Sequence, residues 1–374
     1  MNRKKIGFIY FDDIHHIHHF LSVFISLYNT KAYDVRIFTY EGEHLYLKKL
    51  LKIAGIPFSV LQILETYNYR KILNKIRNRN RINHIFIFKK NKRVLLNQDV
   101  LVYNVPQQKY LIDLRKNGKP KFVYLDHGAG DRNYVYNERL ISFDLITIAG
   151  KKVERQCKVN ANFSNSQLKI CGYQKFDSIL LEKKEIRFFE NNKPIVIYNP
   201  HFIKDFSSYY SVGEKVLDFF YNSKDYNLIF APHINLFNKR KCLEKESFSK
   251  EYSTANNILI DFGSENSVNM RYTLAADIYL GDVSSQVYEF LTKPRPCVFL
   301  NPNNVNWKDN EYFRNWNLGK VITNISNLKN ILDTSSRWQT EFLEKQVIIT
   351  KETYEVSEEI NATERIVTEI IKFI

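Results

Sequence analysis

Ala275-Ala276-Asp277-Ile278-Tyr279-Leu280-Gly281-Asp282-Val283-Ser284-Ser285-Gln286-Val287-Tyr288-Glu289-Phe290 reads as strand, turn and helix in immediate succession. Ile278-Tyr279-Leu280 is a short apolar run of the kind that fills a parallel strand buried on both faces. Gly281 and Asp282 break the run, Ser284 and Ser285 stand where a helix begins, and Gln286 to Thr292 read as its first turns. Pro294-Arg295-Pro296 leads into a second apolar run, Cys297-Val298-Phe299-Leu300, which completes a βαβ unit. Two hydroxyls beside the open N–H groups of a helix start suit an anion, so a nucleotide phosphate is the expected ligand there. Serine is also a common N-cap in helices that bind nothing. Glu289 stands about one turn into the helix, spaced to reach the hydroxyls of a ribose whose phosphates sit on the serines.

The same alternation runs outward through the chain. In the second half, Pro194 to Tyr198, Tyr226 to Phe230 and Ile258 to Asp261 read as strands, with helices over Gly213 to Tyr221 and Val268 to Ala275. In the first half, strands are expected over Lys4 to Phe11, Tyr33 to Tyr40, Asp99 to Tyr103, Lys121 to Leu125 and Asp144 to Ala149, with a further short apolar run over Phe58 to Leu64 and Leu168 to Tyr173 closing the half. Helices are expected over Phe20 to Tyr28, Glu43 to Ala54 and Pro106 to Lys116. Leu181 to Lys193 is charged and partly loses periodicity, and reads as a linker. Strands alternating with helices on both sides of it predict an α/β chain of two Rossmann-like parallel-sheet domains, residues 1–182 and 183–374. Trp307 to Leu318 reads as an aromatic lid or loop, and the amphipathic Glu355 to Phe373 as a helix that folds back across both domains.

The composition bounds the setting. With 374 residues, 44% hydrophobic and 25% charged, the chain is long enough for two cores. Cys157, Cys171, Cys242 and Cys297 are widely spaced, which fits a reducing compartment and argues against a structural zinc. No leader and no apolar run of about 20 residues is visible, so a cytoplasmic location is expected. The net charge of +15 calls for an acidic partner. Arg70 to Arg93 holds ten Lys and Arg, no Asp or Glu, and interleaved Ile and Phe. It reads first as a surface lying on anionic lipid, then as a solvated charged helix, and last as a nucleic-acid patch, since no nucleic-acid fold signature accompanies it.

Histidines mark several strand ends. Lys121 to Leu125 runs into Asp126-His127-Gly128-Ala129-Gly130, where α/β folds place reactive groups. Asn199-Pro200-His201 and Ala231-Pro232-His233 follow two strands of the second half in the same manner. His15-His16-Ile17-His18-His19 invites a metal reading, with His15 and His19 on one helical face, but no acidic partner stands at a metal-motif position. Most of the four read as a plain helix start, one of them, His16 or His19, is expected to contact an acceptor, and no metal or other cofactor is expected.

His127-Gly128, Gly172-Tyr173, Tyr198 to Pro200, Pro232-His233 and Asp282 to Ser285 occur in an order and spacing that resembles the CDP-glycerol glycerophosphotransferase family, the teichoic-acid primases and polymerases. The resemblance covers most of the chain after about residue 100. It implies a GT-B architecture, two Rossmann-like domains around a central cleft. It implies His127 as general base on the acceptor hydroxyl, with Asp126, Gly128, His16 and His19 on the acceptor side. It implies His233 on the donor pyrophosphate, Ser284 and Ser285 on phosphate and Glu289 on ribose, with Asp282, Gln286, His201, Pro200 and Gly172 also on the donor side. The implied partners are a CDP-linked donor, a lipid-linked or glycan acceptor and the inner face of the plasma membrane, with no nucleic acid. Ala129 stands where the family more often has Thr, and His201 where Thr is common. The donor therefore stays open between glycerol phosphate, another polyol phosphate and a nucleotide sugar. The Asp-x-Ser-Ser turn is also similar to that of UDP-N-acetylglucosamine 2-epimerases. A basic nucleic-acid-binding protein is the non-enzyme alternative.

Overall fold

The computed structural model describes residues 3–11, 14–68, 84–106, 108–128, 130–131, 138–160, 163, 167–182, 187–238, 242–245, 248–355 and 361–374. Asp12-Asp13, Ala129, residues 70–83 of the basic segment and part of the linker lie outside the described residues. The chain forms two compact units. One comprises Met1–Gly128, Asn133–Lys183 and Glu352–Ile374; the other comprises Ala129–Arg132 and Lys184–Lys351.

The first unit is built on a seven-stranded, all-parallel sheet. Its strands are β1 (Lys5–Ile9), β2 (Asp34–Thr39), β3 (Leu61–Ile63), β4 (Val100–Tyr103), β5 (Lys121–Leu125), β6 (Leu145–Ile148) and β7 (Leu168–Ile170), in the order β3-β2-β1-β4-β5-β6-β7. The second unit repeats the plan with six parallel strands. These are β8 (Ile195–Asn199), β9 (Asn227–Phe230), β10 (Ile258–Ile260), β11 (Ile278–Gly281), β12 (Cys297–Leu300) and β13 (Lys320–Ile322), in the order β10-β9-β8-β11-β12-β13. Every residue of β4, β6, β9, β11 and β12 is buried, because helices cover both faces of a parallel sheet. That is why these strands appear as unbroken apolar runs rather than alternating ones. In both sheets the order reverses beside the first strand, between β1 and β4 and between β8 and β11, where α/β folds open a crevice at the carboxyl ends.

The second core joins Tyr198, Phe220, Phe230, Leu280, Val298 and Trp338. At its centre β8 and β11 lie close: a Cβ on Gly281 would stand 2.8 Å from the Asn199 carbonyl oxygen, so only glycine fits. Two expectations change here. Val268 to Ala275 is two short helices, Glu265–Val268 and Arg271–Ala275, parted at Met270 with φ +64°. Trp307 to Leu318 is no free loop, since Glu311–Leu318 is a 3₁₀ helix with Phe313 and Trp316 buried and Trp316 stacked on Phe299. An aromatic-rich stretch with two large rings on one side has more to gain from the core than from solvent.

The helix Ala362–Ile371 packs on the helix Leu21–Asn29 within the first unit. Gly172 adopts φ +87° beneath it, where a Cβ would meet Arg365 at 2.5 Å and the Glu355 carbonyl at 2.6 Å. Among the described residues no helix is long and apolar enough to cross a membrane.

Candidate functional site

In the second unit the chemistry gathers at the carboxyl ends of β8, β9 and β11. Asn199, the last residue of β8, bonds the Ala231 carbonyl beyond β9 at 2.6 Å and accepts from the Tyr279 hydroxyl at 3.2 Å. The two Pro-His segments are then tied directly, His233 N–H donating to the Pro200 carbonyl at 3.0 Å. Each ring is set by its own backbone. Nδ1 of His201 accepts the N–H of Ile203 at 3.0 Å, and Nδ1 of His233 accepts the N–H of Asn235 at 3.1 Å. A neutral imidazole whose Nδ1 is an acceptor carries its hydrogen on Nε2. Both rings are therefore Nε2–H donors, with centroids 5.6 Å apart, a pair suited to a polyanionic group.

Asp282 organises this pair from below. Its buried Oδ2 accepts the N–H groups of His201 and Ser208, both at 2.9 Å, and its carbonyl accepts from Asn315 Nδ2 at 3.3 Å. Oδ1 is buried with no hydrogen-bond partner among the described residues. Burial pushes the carboxyl up to about 7, against the two N–H groups that favour the carboxylate. Ser284 Oγ accepts the N–H of Gln286 at 3.2 Å, while the Ser285 hydroxyl does not cap the five-residue helix Gln286–Phe290. Glu289 on that helix is buried. Within this unit the neighbouring Tyr288 hydroxyl donates to the Asp131 carboxylate at 2.6 and 2.7 Å.

In the first unit a second cluster stands at the carboxyl ends of β1, β4 and β5. The residues after β1 form a six-residue 3₁₀ helix, Ile14–His19. Three residues per turn put positions i and i+3 on one face, so His16 and His19, rather than His15 and His19, share a side. Both rings meet His127 edge-on, at centroid distances of 5.3 and 6.2 Å, and His15 packs on His16 at 4.0 Å. His18 points away and bonds Ser178 Oγ at 2.9 Å and the Tyr46 hydroxyl at 2.8 Å. Burial holds His19 well below the usual imidazole value, and Lys175, His127, His15 and His18 add to the effect. His127 Nδ1 lies 2.9 Å from the Tyr124 hydroxyl. Gln174 clamps the cluster: its buried Nε2 donates to the carbonyls of His19 at 2.7 Å and Asp126 at 2.9 Å. No group of three or more His, Cys, Asp or Glu is placed to hold a metal ion among the described residues.

Residues 132–372 match the family model of the CDP-glycerol:poly(glycerophosphate) glycerophosphotransferases. The chain belongs to this family. It is a transferase of the CDP-glycerol glycerophosphotransferase kind. No curated protein matches the sequence. Among solved structures, the wall teichoic acid polymerase TagF is similar at 13% identity and TM-score 0.64, over 99% of this chain and 89% of that one. A UDP-bound MnaA of S. aureus is similar at 13% identity and TM-score 0.65, over 99% and 98%. A UDP-N-acetylglucosamine 2-epimerase from Listeria monocytogenes is similar at 11% identity and TM-score 0.64, over 98% and 95%. These likenesses carry the fold: two parallel-sheet α/β units of the kind seen in GT-B enzymes.

In this glycerophosphotransferase the second unit brings together Pro200, His201, His233, Asp282, Ser284, Ser285, Gln286 and Glu289 around β8, β9 and β11. The first unit brings together His16, His19, Asp126, His127 and Gly128. Gly172, expected on the donor side, lies in the first unit under the C-terminal helix, where close packing accounts for it. Asp282 turns its carboxylate inward to backbone amides rather than outward to a ligand. Tyr124 and Gln174 join the site without a mark in the sequence. A strand tyrosine and a lone glutamine carry no local signal, and only the Gly172-Tyr173 beside Gln174 marked its region.

Proposed function

We propose that this chain transfers glycerol phosphate, or a related polyol phosphate, from a CDP-activated donor to a hydroxyl of a membrane-linked glycan or polymer in bacterial cell-surface, teichoic-acid-like biosynthesis. The observation that carries this reading is the pair of Nε2–H donors, His201 and His233, at the carboxyl ends of adjacent parallel strands. The acceptor oxygen attacks the phosphorus that bears glycerol, and its proton passes to His127. The bond from that phosphorus to the bridging oxygen breaks, and CMP leaves with the negative charge. Positioned N–H donors on the pyrophosphate stabilise that charge as it grows. His233 and His201 hold the pyrophosphate, Ser284 and Ser285 add hydroxyl contacts, and Glu289 holds the ribose. A structure of TagF soaked with CDPG supports a CDP-linked donor.

The enzyme works at the inner face of the plasma membrane. The net charge of +15 and the helix His84–Leu96, with Lys89, Lys90, Lys92 and Arg93, support docking on anionic lipid. The test is CMP release from CDP-glycerol over a bacterial membrane fraction. His127→Ala should abolish turnover and His233→Ala should lower it by at least about a hundredfold, while the thermal midpoint holds. Near-normal rates in either variant would contradict the corresponding assignment.

A further inference from the structure

We propose that a cleft at the amino end of the first sheet is a second anion site, which holds phosphodiester groups of a polyol phosphate chain. The inference rests on the proposed transfer of polyol phosphate and adds a place where the polymer is held away from the reacting atoms. The cleft lies within the first unit and measures about 660 Å³, in the range of ligand-binding cavities. β1 begins at Lys5 and β2 at Asp34; these two residues pair, and Arg36 pairs with Gly7 two residues further along. Successive side chains of a strand alternate between faces, so Lys5, Asp34 and Arg36 project to one face of the sheet. Arg3, from before β1, and Tyr28, Lys31 and Tyr33, from the end of the helix Leu21–Asn29 and the turn into β2, also line the cleft.

The charge of this cleft is unbalanced. Asp34 is the one acid among its described lining residues, and Arg36 already answers it, Nε donating to Oδ1 at 3.0 Å. Asp99, which accepts the Lys5 N–H at 2.9 Å, is shared by the ammonium groups of Lys4 at 3.8 Å and Lys119 at 3.7 Å. Among the described residues the side chains of Arg3, Lys5 and Lys31 have no carboxylate partner. Lys31 sits in a left-handed turn, φ +57°, and its ammonium rests over the Tyr28 ring at 4.0 Å, which holds it at the cleft. An arginine fork and two ammonium groups suit phosphate oxygens, and Tyr28 and Tyr33 add hydroxyls for a polyol. Val35 and Val60 are the only aliphatic residues of the described lining, too little for an acyl chain. The basic helix His84–Leu96 lies at the other end of the sheet. His84 meets Phe11, beyond the end of β1, at 5.2 Å, and Phe88 meets Tyr103, the last residue of β4, at 6.3 Å. The cleft is thus separate from the lipid-docking helix. A polyol phosphate chain carries one charge per unit along its length, so a stretch behind the tip fills the cleft while the tip stands at the His127 cluster.

The test is fluorescence anisotropy of a labelled glycerol phosphate oligomer on the full chain, without donor. Arg3→Gln/Lys5→Gln/Lys31→Gln should lower the affinity for the oligomer at least about tenfold, the scale for losing charge-assisted contacts. Lys89→Gln/Lys92→Gln/Arg93→Gln removes the same charge from the other end of the sheet, where salt screens it from the cleft, and should lower the affinity by less than about twofold. Inorganic phosphate should compete weakly, and the cleft variant should bind phosphatidylglycerol vesicles as wild type does. An unchanged oligomer affinity in the cleft variant, or an equal loss in both variants, overturns the proposal. So does displacement of the oligomer by inorganic phosphate at equal concentration, or a cleft variant that loses vesicle binding and keeps the oligomer. Binding is read without turnover, so a chain that holds the oligomer through the cleft yet releases no CMP from CDP-glycerol contradicts the proposed reaction and leaves the cleft standing.

Discussion

His201 and His233 stand with ring centroids 5.6 Å apart, each with Nδ1 closed by the backbone N–H two residues further on. Two adjacent parallel strands thus end in the same local device, proline then histidine, with the two rings side by side. Removing either ring removes a donor without disturbing the strands. His233→Ala should lower the maximal rate of CMP release by about 10² to 10³, the scale for loss of one positioned donor to a developing anion. Steady-state rates with a thermal midpoint alongside check this. A tenfold or smaller loss would mean that His233 does not face the leaving group.

Asp282 should make the second unit's stability fall as pH rises. Its carboxyl is raised from 3.8 to about 7 in the folded chain, so between these values the native state binds the proton and the unfolded state does not. Stability is then highest below about pH 4, declines through about pH 7 and is level above it. Asp282→Asn cannot titrate. The difference in thermal midpoint, wild type minus variant, should shrink steadily from pH 4 to pH 7. A flat difference would show that the carboxyl is ionised throughout.

His19 acts with the opposite sign. Its folded value lies well below 6.5, so as pH falls through about 6.5 the unfolded chain takes a proton that the native chain refuses. The stability contributed by neutral His19 is full above pH 6.5 and is lost below it. His19→Gln should therefore lose less of its urea midpoint between pH 7.5 and pH 5 than wild type does. Equal losses would remove His19 from the acid response.

Gln174 bonds the His19 and Asp126 carbonyls with one buried amide nitrogen. Gln174→Met keeps the length and removes both donors, leaving two buried carbonyls short of a partner. A cost of about 1–3 kcal/mol is expected from a urea titration. A loss under about 0.5 kcal/mol would mean that water or another group replaces the clamp.

The sheets were legible in the sequence because a parallel strand buried on both faces must be apolar along its whole length, as in Val100 to Tyr103 or Cys297 to Leu300. The Pro-His strand ends and the serine turn were legible for a related reason: a polar break after an apolar run marks the carboxyl end of a strand. The inward turn of Asp282 was not, because it is decided by the amides of His201 and Ser208, 81 and 74 residues away. The histidine run was read with the wrong period. Six residues are too few to separate 3.0 from 3.6 per turn, so the sequence pairs His19 with His15 where the fold pairs it with His16. Tyr124 resembled any core tyrosine until the fold set its hydroxyl against His127.

The most direct test of the account is calorimetric titration of wild type and His201→Ala/His233→Ala with CDP-glycerol, CMP and UDP-N-acetylglucosamine. The account predicts that wild type binds CDP-glycerol in preference to the UDP-sugar, and that the double variant loses at least tenfold in affinity for CDP-glycerol while binding CMP nearly as well. Preference for the UDP-sugar, or CDP-glycerol binding unchanged in the double variant, would contradict it.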